Sequence, residues 1–454
     1  TSLLAPGAPP AAGDFDQVPA VRSFLARGAA RCGHDAAKLE HSRCLARPDA
    51  EGCRGALPGT VFVHARSHHT GLGNAMVETL GKLMAAWLTG RPMVLISAWS
   101  SLLRSPYLPE GAQLSAPGDM ARALAREFRF IRPDQSERSV YSAMRKMTEA
   151  APPSAALNLT ADGVCAVDFL GPAGPAVQAD TLAGLPAWGL PPPGGGALYL
   201  GRLNRNTVSH RQYSACVDAY ASSPLHRRRV GQMAREPGSF HGCALRFAFE
   251  RPGGPLLGAL RPVLAQLGGG AVLVAIHVRS GDHVMNEERK SQNLTQVLER
   301  KQDWLTRAPG RAPLINETLR EFTLGANQLL KSLLRRVYPR PVAVFIASDT
   351  TWAGREIARH LHPGVSVVET EGAPTHLKLL PAAAAGGEVT PELLKIVADW
   401  YCLALGAVLL SPTKSSFART ASHMGLQRFA VLGEIPGKKH RKLLDQIPVE
   451  TLLG

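Results

Sequence analysis

From about residue 61 onward, short apolar runs alternate with stretches in which apolar residues recur every three or four positions. Val61–Ala65 (VFVHA) reads as a strand and Gly71–Asn74 (GLGN) as a turn. Asn74–Leu88, with Met76, Val77, Leu80, Leu83, Met84 and Leu88 at helical spacing, predicts a helix. Pro92–Ser97 (PMVLIS) follows as a strand, completing a strand-helix-strand unit that implies a parallel sheet. Between about 100 and 255 the periodicity weakens, and Pro191–Gly196 (PPPGGG) must be a turn or an exposed loop. The rhythm returns with Ala271–Val278 (AVLVAIHV), a continuous apolar run expected of a strand covered on both faces. Beyond it the pattern predicts a helix over 319–337, a strand over 342–348, a helix from Trp352 to Leu361 and a strand over 365–370. After a small-residue stretch, Pro381–Gly387, come a helix from Pro391 to about Leu405, a strand over 407–411, a helix through Arg419–His423 and a strand over 429–433. No internal repeat is present. The expectation is α/β: two doubly wound domains facing a cleft, at 55–255 and 256–454, behind an Ala/Gly/Pro-rich segment, 1–54, that reads as a stem.

Composition narrows this picture. With 454 residues, 45% of them apolar and 19% charged, the chain can bury two ordinary cores, which excludes extended disorder. The 44 glycines and 35 prolines call for long connections between the packed elements. A formal charge of +15 favours anionic partners. The basic residues are dispersed, however, and the densest clusters, His226–Arg229 (HRRR) and Lys438–Lys442 (KKHRK), lack interleaved aromatics. They read as solvated faces, so no nucleic-acid partner is expected.

None of the seven cysteines (32, 44, 53, 165, 216, 243 and 402) forms a CxxC pair, which argues against a zinc ribbon. Three sequons, at Asn158, Asn293 and Asn316, permit N-glycosylation. Together these features point to the secretory pathway, with up to three disulfides and Cys402 left as the free thiol. No run approaches the ~18 to 20 apolar residues that span a bilayer, and no signal peptide is evident. Because the chain starts at Thr1, a membrane anchor or signal upstream is expected, with residence in the Golgi or ER lumen.

In open parallel sheets, ligands gather beyond the carboxyl ends of the strands. Three candidate motifs stand there. In Ala275–Asp282 (AIHVRSGD), the Arg279 guanidinium is suited to a diphosphate, Gly281 permits close backbone approach, and His277 can orient a phosphate or sugar hydroxyl; a surface pairing of Arg279 with Asp282 is the plainer alternative. Ser348 and Asp349 close the strand over 342–348, where the carboxylate either accepts from a guanine edge or ribose or else N-caps the next helix. In Ser411–Thr420 (SPTKSSFART), Ser415, Ser416 and the amides before Phe417 can cradle a phosphate, or form a capped loop.

The order of these three motifs carries a resemblance. HVRSGD resembles the first peptide motif of the α1,2-, α1,6- and protein-O-fucosyltransferase superfamily, and DWYCLALGAVLLSPTKSSFART (Asp399–Thr420) is similar to its helix-strand-SS(F) motif. Ala347–Asp349 (ASD) matches its nucleotide-binding strand end, and Gly71–Glu78 (GLGNAMVE) resembles its N-terminal G-x-G-N turn. The four motifs run in family order over about 61–425. The resemblance implies a GT-B glycosyltransferase with two Rossmann-like domains, GDP-fucose held by the C-terminal one, inversion at the anomeric carbon and no metal or other cofactor. It implies that Arg279 binds the β-phosphate beside His277, that Asp349 contacts guanine and that Ser415, Ser416 and Phe417 wrap the diphosphate and base. Gly71, Gly73 and Asn74 would line the acceptor side, for a glycan or glycoprotein acceptor.

An inverting transfer needs a base for the acceptor hydroxyl. By position in the motif, Glu287 is the first candidate, with Glu288, Asp282 and Glu78 as rivals. Many relatives carry a second arginine where this chain has Ser280, so the phosphate grip resembles the single-arginine members or is completed by Lys414 or Arg419. Asp14-Phe15-Asp16 lies in the tail rather than at a strand end, and His64, His68 and His69 read as hydrogen-bonding loop residues, so no metal site is expected. A sulfotransferase would need its phosphate loop after the first strand, where only Arg66 is basic. A silent sugar-nucleotide or glycan-binding protein would keep the fold and lose the base.

Overall fold

The computed structural model describes residues 12–34, 61–65, 71–89, 93–97, 99–108, 112–115, 132, 134, 139, 198–200, 224–267, 270–280, 316–374, 389–413 and 415–432. By internal contact the chain divides into two units, 29–254 with 380–389, and 1–28 with 255–379 and 390–454. Each is an α/β unit built on a parallel sheet.

In the first unit, β1 (Val61–Ala65) pairs in parallel with β2 (Met93–Ser97) on one side, and β2 carries β4 (Gln113–Ser115) beyond it. On the other side β1 pairs with β5 (Leu198–Leu200), giving the order β4-β2-β1-β5. A two-residue ribbon joins β3 (Leu103–Arg104) to β6 (Arg251–Pro252). Helix α2 (Leu72–Thr89) covers the sheet, buries Met76, Leu80 and Leu83, and starts two residues earlier than its apolar spacing predicts.

Two helices in the stretch of weak periodicity, α3 (Pro224–Met233) and α4 (Phe240–Phe249), escape pattern reading for opposite reasons. The first is strongly polar. The second is buried at every position and so has no polar face to set a period. The guanidinium of Arg246, wholly buried in α4, pairs with Glu250, which also accepts from the Tyr107 hydroxyl. A disulfide joins Cys32 to Cys243. Cys402 is free and buried, while Cys44, Cys53, Cys165 and Cys216 lie outside the described residues.

In the second unit, five parallel strands are ordered β11-β10-β7-β8-β9. They are β7 (Val272–Val278), β8 (Val342–Ser348), β9 (Val365–Val368), β10 (Val408–Ser411) and β11 (Arg428–Val431). The first strand of this unit is central, flanked by the second and the fourth, as in a Rossmann sheet. Every residue of β7 is buried, as the continuous apolar run predicts. Its alternation divides the core. Val272, Val274, Ile276 and Val278 join a cluster with α6 (Asn316–Val337) and α7 (Thr351–His360). On the opposite face lie α8 (Pro391–Leu405) and α9 (Ser416–Gly425), where Gly406 at the end of α8 passes so close to Ala275 that an added Cβ would stand 2.8 Å from its methyl. Helix α5 (Gly254–Leu267), whose pattern is punctuated by Gly258 and Pro262, buries Leu256, Leu260, Val263, Leu264 and Leu267.

The segment read as a stem contributes to this core. Helix α1 (Pro19–Arg31) buries Phe24 against Tyr401, with ring centroids 5.9 Å apart, and Phe15 in the preceding 3-10 turn packs on the same ring at 6.5 Å. The Asp14-Phe15-Asp16 triplet lies in that turn.

Candidate functional site

Strand β7 is followed by α6 and β8 on one side of the sheet, whereas its other neighbour, β10, arrives much later in the chain. The connections therefore diverge between β7 and β10, and such a switch point leaves a crevice at the carboxyl ends of the strands. His277 and Arg279 come from the end of β7, and Ser411 from the end of β10.

His277 is 5% exposed and its Nδ1 has no hydrogen-bond partner. Burial, followed by the positive charge of Arg279, lowers its pKa to about 3. At neutral pH the imidazole is uncharged and so holds one donor and one acceptor nitrogen. Its ring centre lies 5.3 Å from that of Phe417 in the first turn of α9, with the planes tilted by 33°.

The approach to α9 is ordered locally. The Ser411 hydroxyl donates to the Thr413 carbonyl at 2.8 Å, turning the chain at the strand end. Ser415 is the N-cap, with extended backbone, and its carbonyl accepts from Arg419 N at 2.9 Å, yet its buried side chain makes no capping bond. A helix start directs its amide dipoles outward and favours an anion. The turn is fixed from behind, since Trp400 Nε1 donates to Thr420 Oγ1 at 3.1 Å and that hydroxyl donates to the Ser416 carbonyl at 2.8 Å. The structure thus brings His277, Ser415, Ser416 and Phe417 to one strand end, with Arg279 two residues beyond His277.

Asp349 bonds the residue that follows Arg279. Its Oδ1 accepts from Ser280 N at 2.7 Å and from Ser280 Oγ at 2.5 Å, while its own N donates to Val278 O at 3.2 Å. The N-cap of α7 is Thr350, whose hydroxyl accepts from Ala353 N, so Asp349 is not the cap. Ser348 Oγ accepts from Thr350 N at 3.3 Å. The Ser280 side chain turns back to Asp349, and its hydroxyl lies 3.0 Å from that of Thr350.

Sequence reasoning did not single out a buried group at the same end of this sheet. Lys395 Nζ in α8 lies 2.8 and 2.9 Å from the two carboxylate oxygens of Asp399 and 2.6 Å from Thr370 Oγ1 just beyond β9, and Thr370 also bonds Asp399. Burial raises the Asp399 pKa against the opposing pull of Lys395 and Thr370. The i,i+4 spacing on a helix start was the available signal. Burial and Asp399 also push the Cys402 thiol well above its usual range, so it stays protonated.

In the first unit, Gly71 precedes α2 and accepts from Asn74 N and Ala75 N, while Gly73 and exposed Asn74 belong to the first helical turn rather than to a loop. Glu78 pairs at 2.9 Å with Lys82, which is completely buried. Among the described residues, one group of metal-type donors converges, Cys32, His34 and Cys243, and its two sulfurs are joined in the disulfide. Arg227 and Arg228 of the HRRR cluster are exposed on α3. Gly281, Asp282, Glu287, Glu288, Lys414, His68, His69 and the KKHRK cluster lie outside the described residues.

No family model and no curated protein matches this chain. Among solved structures it is similar to a mutant of Arabidopsis thaliana FUT1 in complex with GDP, at 14% identity and a TM-score of 0.45, over 86% of this chain and 76% of that one. It is similar to the NodZ alpha-1,6-fucosyltransferase soaked with GDP-fucose, a Bradyrhizobium protein, at 14% identity and a TM-score of 0.34, over 81% and 92% of the two chains. It is also similar to the apo form of POFUT1, at 10% identity and a TM-score of 0.33, over 83% and 97%.

Proposed function

We propose that this chain is an inverting, metal-independent glycosyltransferase that moves fucose from GDP-fucose to a hydroxyl of a glycan or protein. The observation that carries the reading is the buried, unpartnered Nδ1 of His277 beside Phe417 and the start of α9, at the β7/β10 switch point. An orphaned polar atom in a buried site costs free energy unless a ligand supplies its partner. The helix start favours an anion, Arg279 adds a charged fork, and Phe417 offers an aromatic face to a base or ribose. A nucleoside diphosphate satisfies all of these groups together, and the four ordered motifs point to GDP-fucose.

In the transfer, the acceptor oxygen attacks C1 of fucose on the face opposite the diphosphate. The bond from C1 to the β-phosphate oxygen breaks, and GDP leaves with the electron pair. Arg279 and the α9 amides stabilise the charge developing on the phosphate, and neutral His277 donates or accepts one hydrogen bond beside it. A carboxylate takes the acceptor proton; Glu287 is assigned this role by its place in the motif, ahead of Asp282 and Glu288. Glu78, the remaining rival, is already paired with Lys82. The three sequons support a lumenal Golgi or ER enzyme.

The test is calorimetric titration with GDP, GDP-fucose, GDP-mannose, UDP and adenosine 3′,5′-bisphosphate, in EDTA throughout. Selective binding of GDP and GDP-fucose is expected. Binding of another nucleotide alone, or of none, would sink the assignment, and the bisphosphate arm would reveal a sulfotransferase.

A further inference from the structure

A carboxylate at the tip of β8, one strand away from the proposed phosphate site, invites the role of a base-recognising ligand. Its bonding points to a different role. The two donors on Asp349 Oδ1, the amide and hydroxyl of Ser280, come from the residue immediately after Arg279. The residue immediately before it, Val278, accepts from the Asp349 amide and is paired in register with Ser348. Arg279 is therefore held between two residues that Asp349 fixes directly. Ser280 is 3% exposed and Thr350 wholly buried, so the Ser280 side of the tie is shielded from competing water, while Asp349 is half-buried. Through Thr350, which caps α7, the same network anchors the exit of β7 to a rigid helix start.

We propose that Asp349 and Ser280 are positioning residues that set the direction in which Arg279 leaves β7 and so aim its guanidinium at the diphosphate; this rests on the function proposed above. A long arginine side chain loses rotamer freedom when it is held, and a fixed backbone on both sides reduces what remains to be ordered on binding. Asp349 acts on the diphosphate end of the nucleotide and is indifferent to the base.

The experiment titrates GDP, UDP and inorganic pyrophosphate into the intact protein and into Asp349→Asn, Ser280→Ala, Ser280→Thr, Arg279→Ala and the Arg279→Ala/Ser280→Ala double variant. Loss of the acceptor's charge in Asp349→Asn, and of the hydroxyl donor in Ser280→Ala, predicts that each weakens GDP and pyrophosphate by a common factor of about ten. Ser280→Thr, which keeps the hydroxyl, should restore binding, and Ser280→Ala should have no further effect once Arg279 is gone. Two results would overturn the inference: Asp349→Asn weakening GDP while leaving pyrophosphate unchanged, the mark of a base contact, or Ser280→Ala weakening pyrophosphate equally with and without Arg279. If the unaltered protein binds neither GDP nor pyrophosphate, the proposed function itself fails and takes this inference with it. Ser280→Thr guards against reading a folding defect as a positioning effect.

Discussion

The imidazole of His277 and the ring of Phe417 lie 5.3 Å apart, centre to centre, although 140 residues separate them in the chain. One closes β7 and the other opens α9, so their approach follows from β10 pairing beside β7, Val408 opposite Val274 and Leu410 opposite Ile276. The neutral, buried imidazole is the part of the site whose behaviour is easiest to isolate experimentally.

His277 has a folded-state pKa of about 3 and an ordinary value of 6.5. Between these values the unfolded chain binds a proton that the folded chain refuses, so stability is complete above 6.5 and declines as pH falls towards 3. The slope from this residue is about 1.4 kcal/mol per pH unit. His277→Phe should flatten the decline by one proton when denaturant unfolding is followed from pH 4 to 7. An unchanged slope would show that the imidazole titrates normally.

If Arg279 stabilises the leaving group as proposed, Arg279→Ala is expected to lower kcat by about 100-fold or more, corresponding to ~3 kcal/mol of transition-state stabilisation. The same substitution should raise the His277 pKa, because the guanidinium is one of the two causes that depress it. Steady-state transfer assays and histidine NMR titration read the two effects separately. Normal turnover would exclude Arg279 from the chemistry.

The Lys395–Asp399 pair should behave as a buried ion pair. Lys395→Met, which strands the carboxylate, is expected to cost about 3–5 kcal/mol, whereas Lys395→Met/Asp399→Leu should be more stable than that single variant. Equilibrium denaturation of the cycle provides the measurement. Additive losses would show that the two groups do not act as a pair.

Arg27 ties α1 to the ends of two helices, donating from Nε to Gly425 O at 2.7 Å and from Nη2 to Gly406 O at 3.0 Å. A cation at helix C-termini is stabilising, and these bonds are buried. Arg27→Ala should destabilise the protein by about 2–4 kcal/mol, whereas Arg22→Ala on the exposed side of α1 should have little effect. Equal thermal midpoints for the two variants would remove Arg27 from the list of anchors.

Elements with a one-sided or continuous apolar pattern were legible in the sequence. The β8 run 342–348 and the α8 helix 391–405 emerge at their predicted bounds, the latter started by Thr390 and Pro391. Helix α4 was not legible, because a helix buried all round carries no period. Helix α5 was hidden by glycine and proline inside it. At the site, the strand-end placement of His277, Arg279 and Ser415 could be read from local order alone. The bonding of Asp349 could not: its partner Ser280 is 69 positions away, and the cap that was one of its two readings belongs to Thr350.

Pattern by itself therefore determined the α/β class, the parallel strands of the C-terminal half and the list of groups able to meet a diphosphate, because burial and strand ends are recorded in local hydrophobicity and turn chemistry. Which of those groups are spent on holding the protein together, and which are left without a partner, was decided by tertiary structure. Strand order brought Ser280 to Asp349 and Lys395 to Thr370 while leaving His277 Nδ1 unsatisfied, and hydrogen-bond satisfaction is a property of neighbours in space rather than along the chain.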